Sequence, residues 1–262
     1  MRMVTNDDTS ADVDQATRVL VAENEVNRDL ILEGMSEAET RRVRDELIPV
    51  YDEIGFHARQ AWKSAPAVYD GHSLKILGHP VMEDWEDPYM AALAAVAASN
   101  GGQVLEVGFG LGISAGYIAQ SPGITRHIII EANADVAERA RQFRDGIATH
   151  PTEVLEGLWE EVIDEVPDGS LDGILFDAYP LDQSEVMNQA HFAATAYRKL
   201  RPGGRFTYFS DEISGFRAEH FDALVAAGFA PGNIDFEIVN VTPPEDCQYW
   251  KSDTIIAPIL TK

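Results

Sequence analysis

The chain has little of what several protein classes require. Its 262 residues include one cysteine, Cys247, so no intrachain disulfide can form. That fits a reducing, cytoplasmic setting. Positive charge is scarce: 20 Lys and Arg stand against 44 Asp and Glu, a formal net charge of −24. Such a surface repels phosphate backbones and anionic lipid, which argues against nucleic-acid and membrane partners. The plainer role of this charge is solubility; the other is attraction of a cationic small molecule. No apolar run is long enough to span a bilayer, and no signal-peptide pattern is legible. CxxC, HExxH and clustered histidines are missing, so no metal site is expected. What is present is 45% hydrophobic residues, enough core for one large α/β domain with an appendage.

The rest of the chain is organised around V-L-E-V-G-F-G-L-G at 104–112. Val104, Leu105 and Val107 read as a short buried strand. Gly108, Gly110 and Gly112 then turn the chain into a helical pattern at 113–120. Glycine suits a backbone that must pass close to a ligand with no Cβ in the way. A second apolar run at 127–130 ends in Glu131. An acid at the tip of the second strand accepts hydrogen bonds from both hydroxyls of an adenosine ribose. The unit therefore reads as a nucleoside-cofactor site, for a dinucleotide or for S-adenosylmethionine. The plain alternative is a doubly wound sheet whose glycines only allow tight turns.

Ahead of this unit, residues 1–12 are polar and acidic and are expected to be disordered. Residues 13–32 and 36–54 carry helical apolar spacing, the second opened by the Ser36–Glu39 capping box. These two helices form an extension over residues 1–60. They could pack on the main domain or pair with a second copy as a homodimer. Residues 61–70 read as a loop, 74–77 as a short apolar run and 78–80 as a turn. A helix follows to Ala98, with Pro88 in its first turn and Glu86 placed to cap it. Strands are expected near 103–107, 127–131, 152–156, 171–176 and 204–210. Helices are expected near 111–120, 134–146, 157–166, 184–199 and 214–227. Such alternation predicts a parallel sheet with helices on both faces. The stretches 234–241 and 249–260 have no helix between them and read as an antiparallel C-terminal pair. Five parallel strands and such a pair are the plan of class I S-adenosylmethionine methyltransferases more than of dehydrogenases.

Ligands of an open α/β sheet sit beyond the carboxyl ends of its strands. Leu158 and Trp159 follow the third strand and could flank an adenine, or Trp159 could be core. Asp177-Ala-Tyr-Pro180 follows the fourth, where Asp177 could instead cap a turn. Residues 200–204, L-R-P-G-G, read as the turn before the fifth strand. Methyl transfer is an in-line displacement, so positioning carries much of the work. A guanidinium has a pKa above about 12, so a carboxylate must hold it and take its proton as the bond forms. Two carboxylates match its planar fork of donors. Glu86 and Asp177 are the candidates.

Across residues 61–262 the chain resembles the guanidinoacetate N-methyltransferase family. The likeness rests on A-W-x-x-A-P-A-x-Y-D at 61–70, I-L-G-x-P-V-M-E-x-W-E-x-P-Y-M at 76–90 and V-L-E-V-G-F-G at 104–110. It continues through I-I-E at 129–131, G-L-W-E at 157–160, D-G-I-L-F-D-A-Y-P-L at 172–181, L-R-P-G-G at 200–204 and P-P-E-D-C-Q-Y at 243–249. The resemblance implies an S-adenosylmethionine-dependent methyltransferase domain over 61–262. It implies that Trp62, Tyr69, Met82, Met90, Gly108, Glu131, Ala132, Leu158 and Trp159 line the cofactor site, beside Gly110 of the glycine turn. It implies that Glu86 and Asp177, with Tyr179 on the same loop, grip the guanidine, and that Asp177 is the base.

One departure bears on the substrate. The family has a leucine–threonine pair after the fifth strand that receives the substrate carboxylate; here Asp211 and Glu212 stand there. Two carboxylates repel a carboxylate and suit an ammonium, so free L-arginine is the expected acceptor, with guanidinoacetate the alternative. Methylating a free amino acid would suggest specialised metabolism. Competing readings are an NAD-dependent dehydrogenase on the same glycine turn, a non-catalytic cofactor-binding module, and a protein arginine methyltransferase.

Overall fold

The computed structural model describes residues 58–182, 185, 190–247 and 249–262. The stretch 1–12, the helices expected at 13–32 and 36–54, and part of the helix expected at 184–199 lie outside the described residues.

The described chain opens with α1 (Arg59–Ser64) and three short strands, β1 (Ala67–Tyr69), β2 (Ser73–Ile76) and β3 (His79–Glu83). They form an antiparallel sheet in the order β1-β2-β3. This corrects the loop expected at 61–70 and the turn expected at 78–80. The strands are too short to show a period in sequence. They exist because they pair, as Val68 with Lys75 and Leu74 with Met82, and because Leu74 and Ile76 pack into one apolar cluster with Trp62. A single 3-10 turn at Asp84–Glu86 leads into α2 (Asp87–Ala98), whose first turn holds Pro88. Proline suits that position, where its missing N–H would have no helical partner.

The main unit follows as β4 (Gly102–Val107), α3 (Ile113–Gln120), β5 (Ile124–Glu131), α4 (Ala134–Gly146) and β6 (Thr152–Glu156). Next come α5 (Trp159–Val162), β7 (Leu171–Phe176), α6 (Ala193–Lys199), β8 (Leu200–Tyr208), α7 (Ala218–Ala226), β9 (Ile234–Asn240) and β10 (Thr254–Thr261). The seven strands lie in the order β6-β5-β4-β7-β8-β10-β9. Strands β4 to β8 are parallel, and β10 is antiparallel to both β8 and β9. The order reverses between β4 and β7. That reversal opens a crevice at their carboxyl ends, where ligands of such sheets bind.

Both faces of the sheet are covered. Leu93 and Ala97 of α2, Ile118 of α3 and Val136 and Ala140 of α4 pack on one face, against Val104, Ile129 and Leu175. Val162 of α5, Ala193 and Ala196 of α6 and Leu224 of α7 pack on the other, against Leu105, Val107, Ile130 and Phe206. One expected turn is instead strand. Residues 200–204 form the first half of β8, where Gly203 N–H donates to Lys262 O at 2.7 Å and Lys262 N–H donates to Gly204 O at 3.0 Å. The chain's own C-terminal strand draws this segment into the ladder.

Candidate active site

At the crevice, Glu131 ends β5 and is 8% exposed. Its Oε2 accepts the Phe109 N–H at 2.9 Å, and its Oε1 accepts the Asn133 N–H at 2.8 Å. Burial pushes its carboxyl up, against the pull of these backbone donors. Gly108 has φ +90°, and a Cβ there would lie 2.0 Å from the carbonyl oxygen of Asp177. The neighbouring strand tip therefore by itself requires glycine there, and Gly108 also lines the cavity. Gly110, with φ +53°, faces Met82, whose Sδ would lie 2.8 Å from an added Cβ.

Glu86 sits at the foot of α2 and is 2% exposed. Its Oε1 accepts two hydrogen bonds, from the Tyr249 hydroxyl at 2.5 Å and from the Glu83 N–H at 2.8 Å. Contrary to the expectation from sequence, the side chain makes no cap hydrogen bond to α2; it reaches back instead to close a capping box on the 3-10 turn, and it lines the cavity. Asp177 opens the loop after β7, anchored by its N–H on Val107 O at 2.8 Å. Glu86 and Asp177 line one cavity with Gly108, Gly110, Glu131 and Tyr249. Burial pushes Glu86 up to about 8; the Asp177 charge adds to this, and the Tyr249 and Glu83 donors oppose it. Burial also pushes Asp177 up to about 7, with Glu106 and Glu131 adding. A cation held between the two carboxylates would reverse both shifts.

A strap made of α1 and the residues just after it lines the cavity through Arg59 and Trp62. Trp62 of α1 stacks on Tyr179, with ring centroids 4.6 Å apart and planes 14° from parallel. Arg59 bonds to Glu160 at 2.5 Å, to Asp182 at 2.9 Å and to Glu185. Asn133 fixes the strap from below: its Nδ2 donates to Trp62 O and to Ala65 O, each at 2.8 Å. Its Oδ1 caps α4 by accepting the Asp135 and Val136 N–H groups.

The cavity gathers most of the residues singled out from sequence. Trp62, Met82, Glu86, Gly108, Gly110, Glu131, Ala132, Leu158, Trp159, Asp177 and Tyr179 all line it. Trp159 also packs edge-on against Phe176 and Phe192, so its core role is realised as well. Four residues stand elsewhere. Met90 is fully buried in the α2 core. Tyr69 takes the Arg139 guanidinium over its ring at 3.8 Å. Asp211 and Glu212 are 1% and 3% exposed and do not line the cavity. Glu212 Oε1 accepts the Arg217 N–H at 3.2 Å and its Nε at 3.1 Å, and lies 2.8 Å from His220 Nδ1. Arg217 Nη2 lies 3.6 Å from Asp211 Oδ1. The expected direct contact of these two carboxylates with a substrate ammonium is thus corrected: their charges face Arg217 and His220. Those partners hold Glu212 below the usual carboxylate range despite its burial. Arg59, Asn133 and Tyr249 were given no site role from sequence, although Tyr249 closes the P-P-E-D-C-Q-Y motif. No spacing marks Tyr249, which meets Glu86 across 163 residues of chain.

A mostly parallel seven-stranded sheet, an antiparallel C-terminal pair and an acid-tipped second strand beside a glycine turn define a class I S-adenosylmethionine-dependent methyltransferase fold. A sequence profile described as guanidinoacetate N-methyltransferase matches residues 50–262, and the chain belongs to that family. The protein arginine N-methyltransferase 2 of Eremothecium gossypii is 34% identical over 138 residues, 50% of this chain and 32% of that protein. Its namesake in Emericella nidulans is 30% identical over 200 residues, 68% of this chain and 44% of that protein. The chain thus spans about a third to under half the length of these curated relatives. Among solved structures, the spermidine synthase of Thermotoga maritima aligns with a TM-score of 0.54 at 16% identity, over 74% of this chain and 72% of its own, a likeness of fold.

Among the described residues, no helix is long and apolar enough to cross a membrane.

Proposed function

We propose that the protein is an S-adenosylmethionine-dependent methyltransferase acting on the guanidino group of a small molecule, with free L-arginine as its acceptor. One observation carries the reading: two carboxylates, the buried Glu86 and the half-buried Asp177, line the same cavity as the glycine turn and Glu131. The donor set fits the cofactor. Glu131 would accept the ribose hydroxyls, and Leu158 and Trp159 offer apolar surface for the adenine. When bound, the cofactor supplies a methyl group on a sulfonium centre.

The protein's own work is to hold and deprotonate the acceptor. Glu86 and Asp177 would take the planar N–H fork of the guanidinium, which orients one nitrogen and excludes water from it. Asp177 would hold the guanidinium as a carboxylate and accept its proton as the N–C bond forms. L-arginine is preferred over guanidinoacetate for an electrostatic reason that does not need contact. Phe209 lines the cavity two residues before Asp211. There, two carboxylates face one guanidinium and one imidazole, so the patch is never net positive whatever the charge on His220. It offers no net positive charge to a substrate carboxylate, and with His220 neutral its net charge of −1 favours an ammonium. A second reading, a peptide arginine as acceptor, is favoured by the names of the curated relatives.

The test is a mass-spectrometric assay with S-adenosylmethionine and L-arginine, guanidinoacetate or an arginine peptide, singly and in competition. Methyl-L-arginine as the main product supports the reading. Creatine, or a methylated peptide, as the main product replaces the acceptor. Cofactor binding with no guanidino product overturns guanidino methylation.

A further inference from the structure

We propose that Tyr249 is a positioning residue for the acceptor: its hydroxyl, with the Glu83 N–H, occupies one oxygen of Glu86 and so aims the other at the guanidino group. This rests on the guanidino reading above and assigns a residue that the reading does not need. Tyr249 lies on the segment between β9 and β10, which joins those strands at the same edge of the sheet as the glycine turn. A turn closed by Cys247 N–H on Pro244 O at 3.0 Å and the buried Trp250 carry it over the cavity. Its ring sits 5.7 Å from that of Trp85, whose Nε1 donates to Glu83 Oε2 at 2.8 Å.

The geometry divides the work of the Glu86 carboxylate. Oε1 is filled by two donors from two different elements, the Tyr249 hydroxyl and the Glu83 N–H. With that oxygen fixed, the carboxylate plane can no longer rotate, and Oε2 is the atom presented to a planar fork of N–H groups. A carboxylate free to rotate would have to be ordered on each binding event, at a cost in affinity. The hydroxyl also favours the ionised carboxylate, which the surroundings oppose. Asp177 faces Glu86 from the tip of β7, Glu83 from its own turn, Tyr89 from α2 and Cys247 from the Tyr249 segment. None of these groups is a cation, so hydrogen-bond donors alone oppose the burial that favours the protonated carboxyl. The hydroxyl lowers the proton affinity of Glu86, and its removal moves that affinity further up.

Tyr249→Phe keeps the ring against Trp85 and removes the one donor. Initial rates are measured for the wild type and this variant with saturating S-adenosylmethionine, across pH 6 to 9.5, using whichever guanidino acceptor the wild type turns over. Affinity for S-adenosylhomocysteine is measured by calorimetry. At neutral pH the expected result is a rise of about tenfold in acceptor KM, the size of one hydrogen bond to a charged group. The acid limb of kcat/KM, which reports the enzyme before the acceptor binds, moves to higher pH. S-adenosylhomocysteine affinity stays within about twofold, since the cofactor end is untouched. A loss of activity with the acid limb unmoved would make Tyr249 merely structural and overturn the proposal, as would an unchanged KM. Glu86→Gln in both backgrounds closes a double-mutant cycle: additive losses overturn the coupling, and a smaller second loss supports it. If the wild type binds S-adenosylhomocysteine yet methylates no guanidino compound, the functional reading fails, a result distinct from any of these.

Discussion

At the scale of single residues, the site is two acids held where acids are costly. Glu86 and Asp177 are pushed up to about 8 and about 7 chiefly by burial. A carboxyl must be ionised to grip a guanidinium, so kcat/KM for the acceptor is expected to fall as pH drops below about 8, measured by initial rates. The same shift carries a stability cost of definite sign. The usual value for Glu86 is 4.5, so between about 4.5 and 8 the folded protein keeps a proton that the unfolded chain has released. Stability therefore decreases as pH rises through that window. Glu86→Gln removes this titration. Its melting midpoint without ligand is expected to exceed that of the wild type at pH 8 and to approach it at pH 5, read by calorimetric scans, while acceptor binding is weakened. Asp177→Asn tests the other acid. Loss of a positioned base lowers kcat by about 10²–10⁴-fold, with S-adenosylhomocysteine affinity unchanged in calorimetry. A variant with full kcat would remove Asp177 from the chemistry.

At the scale of elements, the site is assembled by contacts between strand tips. Gly108, at the end of β4, leaves room for the Asp177 carbonyl at the end of β7, so the cofactor turn and the acid loop share one packed boundary. Asn133 plays a similar part between α4 and α1, capping the first and holding the carbonyls of the second. Its replacement by alanine costs about 0.5–2 kcal/mol for the cap alone. Asn133→Ala is expected to lower the denaturant midpoint. It should also weaken S-adenosylhomocysteine binding several-fold, because Trp62 rides on the same hydrogen bonds. An intact cofactor affinity would show that α1 holds its place without Asn133. The element scale is also where sequence patterns had least to say. The strands at 67–69, 73–76 and 79–83 were invisible to periodicity because each is only three to five residues long. The long apolar run of β5 and the amphipathic α4 were plain, since a buried parallel strand and a half-exposed helix write their periods directly into the chain.

At the scale of the whole molecule, the net charge of −24 sets a negative field around the cation site proposed above. Such a field raises the rate of encounter and is screened by salt. With L-arginine, kcat/KM is expected to fall between about 0.05 and 0.5 M salt while kcat holds, and with guanidinoacetate, which is net neutral, to fall much less. Equal salt dependence for both would remove steering from the account. The sequence by itself determined the sheet and its cofactor end. Apolar runs, glycines and a strand-final acid act locally, so Val104, Gly108 and Glu131 could be assigned their places without coordinates. It also marked Glu86 and Asp177, through the chemistry a guanidinium demands and a family likeness. Only the tertiary structure decided which side chains share a cavity. It turned Asp211 and Glu212 to Arg217 and His220, took Met90 into the core, and brought Tyr249 to Glu86. The physical reason is range. A period or a cap acts over a few residues, whereas the pairing of a buried charge depends on whichever distant segments the fold brings within a hydrogen-bond length.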